Sequence, residues 1–457
     1  MIEITEVNES NRKAFLERMA NKSYDSVKKL YPNLTTNIEE AQKVVDEVIE
    51  AVKTRGDEAL FFYTEKWDKI KLNAENAVLG PEEIAKIAER LDPEQYGVMA
   101  RAAERIERFH SLQKQKSWFD TSDNGEILGQ MVIPVGSVGM YAPGGVAVLS
   151  SSFLMCAVPA KVAGVKNIAV CSPPDKNGMI SPAIAAAAKI TGVNKIYKIG
   201  GIQAIAAMAY GTETVQKVDK IVGPGNIYVA LAKKSVFGQV GIDSIAGPSE
   251  ITVIADANAN PAYVAADMLS QAEHIMASAV LVTDSAELAA AVKAELERQI
   301  RLLPTGAAAE ASLRDNGAIA VVSDIRAAIE LANEIAPEHL ELYIDNAFTW
   351  LPLIKNAGAV FLGPYSPEPV GDYYAGPNHV LPTGGTARFF SPLSVDDFVK
   401  KTSIISFSKT ALEQSARDVM AFAKTEGLAA HAEAVRIRMD SRNEGGVKFE
   451  QDSNNRT

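Results

Sequence analysis

The feature that most restricts this chain is a rhythm recurring from Gly129 onward: a short Val- and Ile-rich run, a glycine turn, then an alanine-rich stretch of helical length. It begins in QMVIPVGSVGMYAPGG, SSSFLMCAVPAKVAGV and NIAVCSPP, which read as strand, turn, helix and strand. It continues through PAIAAAAKITGV, KIYKIGG, IQAIAAMAYGT and KIVGPG. Such alternation builds parallel sheets, because two parallel strands can be joined only by a crossover, usually a helix. A second series follows in ITVIADA, AYVAADMLSQAEH, ASAVLVTDS, AELAAAVKAELERQI, GAIAVVSD, AAIELANEIA, HLELYID and GAVFLG. The expected fold is α/β, with two Rossmann-like parallel-sheet domains.

The flanks are patterned as helices. From about Thr36 to Leu72 apolar residues recur at three and four positions, and Gly56 is placed to end that helix. PEEIAKIAERL and EQYGVMARAAERIERFHSLQ follow, with Pro81 in a first turn. Past Ser391, LSVDDFVKKTS, TALEQSARDVMAFAKTEG and LAAHAEAVRIRMDSR predict a helical C-terminal region, and the polar NEGGVKFEQDSNNRT predicts a frayed end.

Composition removes several function classes. With 457 residues, 47% hydrophobic and 23% charged, the chain has the makings of a multidomain globular protein rather than a disordered or fibrous one. Its 46 basic and 57 acidic residues give a net charge of −11, with no basic cluster, so nucleic acid is an improbable ligand. Two cysteines, Cys156 and Cys171, both in apolar runs, fit a reducing compartment. MIEITEVNESNRKAFLERM lacks the apolar core of a signal peptide, and Lys161 and Lys166 interrupt the best candidate for a membrane span. A cytoplasmic protein is expected.

The chemistry has to be held without the standard nucleotide fingerprints, since neither GxGxxG nor GxxxxGK[ST] occurs. Glycine turns at strand ends stand in their place: VGMYAPGG, IGGIQAIAA with Gly200 and Gly201, and VGPGN with Gly223 to Asn226. They read equally as tight turns or as places where a ligand meets backbone amides at the carboxyl edge of a sheet.

Four of the five histidines lie beside carboxylates or amides: QAEH (Gln271, Glu273, His274), PEH (Glu338, His339), GDYYAGPNH (Asp372, His379) and EGLAAH (Glu426, His431). His110 reads as an ordinary helix residue. Gln271 and His274, three apart at the end of a helical pattern, share a face and could share a metal such as zinc. Glu338 and His339 open a strand, where alternation would send them to opposite sides as separate acid and base groups. These residue types alone also permit a zinc hydrolase with Glu338 as base, whereas the presence of both His339 and Glu338 argues against a binding protein without catalysis.

Taken together, VGMYAPGG, GGIQAIAAMAYGT, KVDKIVGPGN, IAGPSE, SQAEH, APEHLEL, GDYYAGPNHVLPTGGTARFFSPLSV and EGLAAHAEAVR resemble the signature strings of the histidinol dehydrogenase family, in its order and over nearly the whole chain. The resemblance implies a zinc- and NAD-dependent enzyme of histidine biosynthesis that oxidises L-histidinol to L-histidine through L-histidinal. A paralogue acting on another primary alcohol is the alternative. Carried over by motif, one zinc per subunit would be held by Gln271, His274, Asp372 and His431. His339 would be the base and Glu338 the group that activates water. Ser249 and Glu426 would contact the substrate beside the metal ligands, with His379 a weaker candidate, and Tyr141, Gln203 and Asn226 would hold NAD.

The resemblance also implies a homodimer in which a partner subunit completes each active site. The expected division is a helical arm over 1–28, an α/β domain over 29–140 and 248–390 with most metal and catalytic residues, an NAD-binding α/β domain over 141–247, and a dimerisation region over 391–457. One departure stands out. After SQAEH the family usually turns through an acidic or Gly-Pro type sequence, whereas Ile275 and Met276 follow here and the loop is shorter. That bears on loop geometry and substrate fit.

Overall fold

The structure, a computed structural model, describes residues 2–32, 37–144 and 148–440. Thr36, Gly145 of VGMYAPGG and the polar tail lie outside the described residues. The chain forms two compact units, one from the residues up to Lys114 with Pro134–Val399, the other from Gln115–Ile133 with the chain from Lys400 on.

The first unit contains two six-stranded sheets. One runs Val78–Leu79, Ile196–Tyr197, Asn167–Cys171, Ser137–Tyr141, Lys220–Val222 and Gly241–Ile242, parallel except for its Val78–Leu79 edge. The other is wholly parallel and runs Ile4–Glu6, Ala318–Val321, Ser278–Thr283, Glu250–Ala255, His339–Tyr343 and Ala359–Leu362. In each, the first strand in the chain sits at one edge; the others start at a central strand, build outward toward that edge, and return to build on the other side. That reversal leaves a crevice at the switch point, where open α/β sheets admit ligands.

Helices cover both faces of both sheets, which is why the strands read as unbroken apolar runs. Val138, Met140 and Val170 pack toward Ser150–Ala163 and Pro182–Thr191, while Cys171 and Tyr197 pack toward Ile38–Arg55 and Gly201–Tyr210. In the second sheet Val253 and Leu281 face Pro261–Ala272 and Ala286–Ile300, and Ile254 and Leu342 face Ile325–Ile335. Each such side chain, fully buried, contributes about 1.5–3 kcal/mol.

The sheets divide the chain differently from the expected grouping. Val78–Leu79 and Ser137–Tyr141, the strands that 29–140 gives to a six-stranded sheet, join the sheet of 141–247, and the helices between Ile38 and Ser111 pack on it. The N-terminal segment is more than a helical arm, since Ile4–Glu6 pairs in parallel with Ala318–Val321. Past Ser391, LSVDDFVKKTS is not a helix: one 3-10 turn, Val395–Phe398, leads into the strand Val399–Ser406. Its β-branched residues and the available edge of Ile127–Pro134 outweigh the short helical pattern, and with Trp118–Thr121 they make a three-stranded sheet. Among the described residues no helix is long and apolar enough to cross a membrane.

Candidate active site

His339 is the first residue of its strand. Alternation turns His339, Glu341 and Tyr343 toward the helix Pro261–Ala272, where the Tyr343 hydroxyl donates to Asp267. The imidazole is buried, and its Nδ1 donates to the Glu250 carbonyl at 3.0 Å. A carbonyl only accepts, so Nδ1 carries the proton and Nε2 is left for chemistry. Nε2 is buried without a hydrogen-bond partner, 3.6 Å from Asp372 Oδ1 and 3.9 Å from Glu368 Oε1.

Glu338 does not splay away from its neighbour as strand alternation predicted. It precedes the strand, just after Ala336 with φ of 53°, so the pleat does not govern it. Its Oε2 accepts from the Glu250 N–H at 2.8 Å and lies 3.7 Å from His339 Nδ1. The N–H and C=O of one residue, Glu250, therefore hold both members of the pair.

Four ionisable groups crowd this point. Burial pulls the His339 pKa down, but the charges of Glu338, Asp372 and Glu368 outweigh it and push it up to about 10. Burial raises Glu338 to about 7 and, with the Asp372 charge adding, Glu368 to about 8. Asp372 is held at about 2 because contact with His339 and the charge of His379 outweigh its burial. His379 donates from Nδ1 to the Asp372 carbonyl at 2.8 Å and accepts at Nε2 from the Ser152 hydroxyl at 2.9 Å, and burial keeps its pKa low. It steadies the backbone that presents Asp372.

The donor set fits a divalent cation. Ligand atoms of His339, Glu368 and Asp372 lie within 4.8 Å of one another. Ser270 donates to Glu368 at 3.2 Å, and the next residue, Gln271, has a buried Oε1 without a partner. Nitrogen and oxygen donors of this kind suit zinc and similar ions. A cavity of about 670 Å³, lined in part by His339, Asp372, His379, Phe109 and Phe361, adjoins them. It is the right size for a small molecule.

The remaining metal candidates are placed differently. The helix ends at Ala272, so the three-residue spacing does not put Gln271 and His274 on one helical face: Gln271 is buried, and His274 lies in the following turn, exposed. In that turn Met276 has φ of 72°, a left-handed conformation in which a side chain is strained. Ser249, half-buried, leads into Glu250–Ala255 and its carbonyl accepts from Ser278 N–H. Glu426 and His431 belong to the second unit, at the end of Lys409–Thr425 and within Ala429–Arg436, both exposed.

A second polar crevice lies at the carboxyl ends of the first sheet. Tyr141 ends its strand and accepts from the Gly201 N–H at 3.1 Å. Gln203 is buried, donates weakly to Thr64 at 3.5 Å, and keeps Oε1 unpartnered. Asn226 caps Ile227–Val236, accepting from Tyr228 and Val229 N–H. The turn before it is clamped at Gly223, whose N–H donates to Asp243 at 2.7 Å and whose carbonyl accepts from Lys233 at 2.9 Å. Only glycine fits there: φ is 111°, and a Cβ would sit 2.3 Å from the Tyr141 carbonyl oxygen.

Comparison with known proteins gives the family. The histidinol dehydrogenase family profile matches residues 32–439. This chain belongs to the histidinol dehydrogenase family. The histidinol dehydrogenase of Heliobacterium mobile is 54% identical over 397 residues, 87% of this chain and 93% of that one. That of Bacillus subtilis strain 168 is 52% identical over 407 residues, 89% and 95% of the two chains. A crystal structure of histidinol dehydrogenase from Elizabethkingia anophelis superposes with a TM-score of 0.88 at 38% identity, covering 97% of this chain and 98% of that one.

For this member of the histidinol dehydrogenase family, reading the sequence missed Glu250 and Glu368. Glu368 stood four residues before Asp372, one helical turn away, a spacing that could have drawn attention to it. Glu250 had no such signal, because its contribution to the pair is made by backbone atoms.

Proposed function

We propose that this chain oxidises L-histidinol to L-histidine by way of L-histidinal, reducing NAD twice, with zinc held by Gln271, His274, Asp372 and His431. The observation that carries this reading is the convergence of the Glu338–His339 pair on Asp372 in a chain of this family. Zinc held there would supply positive charge that offsets the crowded carboxylates, orients the imidazole and amino nitrogens of the substrate, and leaves His339 able to act as a base.

The residues then have distinct tasks. With Nδ1 fixed on Glu250, His339 Nε2 takes the hydroxyl proton while the carbinol carbon gives its hydride to the nicotinamide, yielding the aldehyde. Glu338, whose carboxyl titrates near neutrality, takes a proton from water as its oxygen adds to the aldehyde carbon. The hydrate gives a second hydride to a second NAD and loses its proton, leaving the carboxylate. Tyr141, Gln203 and Asn226 are the proposed dinucleotide contacts, and Ser249 and Glu426 the proposed substrate contacts. Glu426 and His431, exposed on the second unit, support a homodimer in which a second copy completes the site.

A substrate panel tests the reading. Purified protein with zinc and NAD should form histidine from L-histidinol and leave other primary alcohols almost untouched. Turnover of a different alcohol with none of histidinol would make the chain a paralogue. Hydrolysis without any NADH would make it a hydrolase.

A further inference from the structure

Apart from Arg12 Nε and Thr252 Oγ1, the buried side-chain atoms without a partner among the described residues fall in two groups. Gln271, His339 and Glu341 belong to the site above, while Asp68, Ser172 and Gln203 each leave an oxygen unsatisfied near the carboxyl ends of the first sheet. An unpaired buried polar atom costs about 1–3 kcal/mol, so a group of them marks a place where a polar ligand supplies the partners.

The three oxygens lie on segments that come together at that end of the sheet. Thr64, which meets Gln203 at 3.5 Å, lies one helical turn before Asp68 in Asp57–Asp68, so both are on one face of that helix. A Cβ on Gly201 would lie 2.9 Å from Gln203 Oε1, and the Gly201 N–H meets the Tyr141 hydroxyl. Asp68, at the end of the helix Asp57–Asp68, keeps one buried carboxylate oxygen, Oδ2, without a partner. Ser172 follows the neighbouring strand Asn167–Cys171, and a Cβ on Gly144 would lie 3.1 Å from its hydroxyl oxygen. Gln203 is almost wholly buried, and its free oxygen gives the crevice a fixed acceptor.

We infer that Asp68 is part of the dinucleotide pocket and that its carboxylate accepts hydrogen bonds from the vicinal hydroxyls of a ribose. This rests on the proposal that the crevice holds NAD. A carboxylate has acceptor sites for both hydroxyls of a cis-diol, and it repels a phosphate placed on either one. Either ribose of the dinucleotide offers that diol. Only the adenosine ribose carries the extra phosphate in NADP.

The test is calorimetric titration of the whole protein and its Asp68→Ala and Asp68→Asn variants with NAD, NADP, AMP and NMN, with thermal melts to verify folding. The parent should bind NAD, and Asp68→Ala should weaken it about tenfold or more, the loss expected for a charge-assisted hydrogen bond. Asp68→Asn, which keeps an acceptor, should fall between. The same loss with AMP, together with a narrower preference for NAD over NADP, assigns the contact to the adenosine ribose; the loss with NMN alone assigns it to the other. Folded variants that bind NAD within about twofold of the parent overturn the role of Asp68. A parent that binds no NAD overturns the reading of the crevice itself.

Discussion

The carbonyl of Glu250 accepts the Nδ1 proton of His339 at 3.0 Å, and so decides which imidazole nitrogen faces Asp372. The same residue's N–H holds Glu338 at 2.8 Å. Its side chain is anchored in turn, with Lys22 Nζ 3.4 Å from Oε1 and the Gly384 N–H 3.2 Å from Oε2. Glu250 is thus a positioning residue for both members of the pair, and Lys22 ties the N-terminal segment to it.

Removing that anchor should loosen the pair without disturbing the proposed dinucleotide contacts. Glu250→Ala is expected to lower kcat about tenfold or more with the KM for NAD little changed, since small misplacements of catalytic groups are costly. Glu250→Gln should recover much of the loss, because it still accepts from Gly384. A Glu250→Ala variant with parental kcat would contradict the positioning role.

His339 and His431 should fail in different ways. His339→Gln is expected to slow turnover by about 10²–10⁴ while keeping bound zinc, the range associated with loss of a general base. His431→Ala should lose zinc as well as activity. Metal analysis separates them, and equal zinc in both variants and the parent removes His431 from the ligand set.

Asp68 should cost stability in a pH-dependent way. Burial raises its pKa from 3.8 to about 6, so the folded state holds more protons than the unfolded state between those values. Stability from this group is therefore highest at low pH, falls as pH rises through that window, and is fully lost above it. Asp68→Asn should melt higher than the parent at about pH 7.5, with the difference shrinking toward pH 4. An equal offset at both values would show that charge burial is not the cause.

Met276 should be a site of stored strain. Its φ of 72° is glycine's territory, and a left-handed residue with a side chain costs about 1–2 kcal/mol. Glycine also adds about 0.5–1 kcal/mol of unfolded-state freedom, so Met276→Gly should stabilise the protein by no more than about 1.5 kcal/mol. Urea unfolding measures it, and a clear loss of stability would mean the Met276 side chain contributes packing that outweighs the strain.

The two sheets were legible because parallel strands covered on both faces must be apolar throughout, as ITVIADA and ASAVLVTDS are. The strand Val399–Ser406 was not, since its partner is distant in sequence and only pairing reveals it. At the site, His339 and Asp372 stood out as residue types. The Glu250 peptide groups did not, because backbone donors and acceptors leave no mark in a sequence. Nor did the edge they occupy. Glycine turns point to the carboxyl ends of strands, where Tyr141 and Gly223 lie, whereas Glu250 and His339 are the first residues of theirs.

The central claim is a zinc-supported double oxidation at the Glu338–His339 pair. Its most direct test is NADH formation from L-histidinol by the purified protein, before and after chelation and zinc restoration, with histidine quantified as the product. Two NADH per histidine, abolished by the chelator and recovered with zinc, is the predicted result. Unchanged turnover after complete metal removal would contradict the zinc assignment, and one NADH with histidinal accumulating would contradict the role of Glu338.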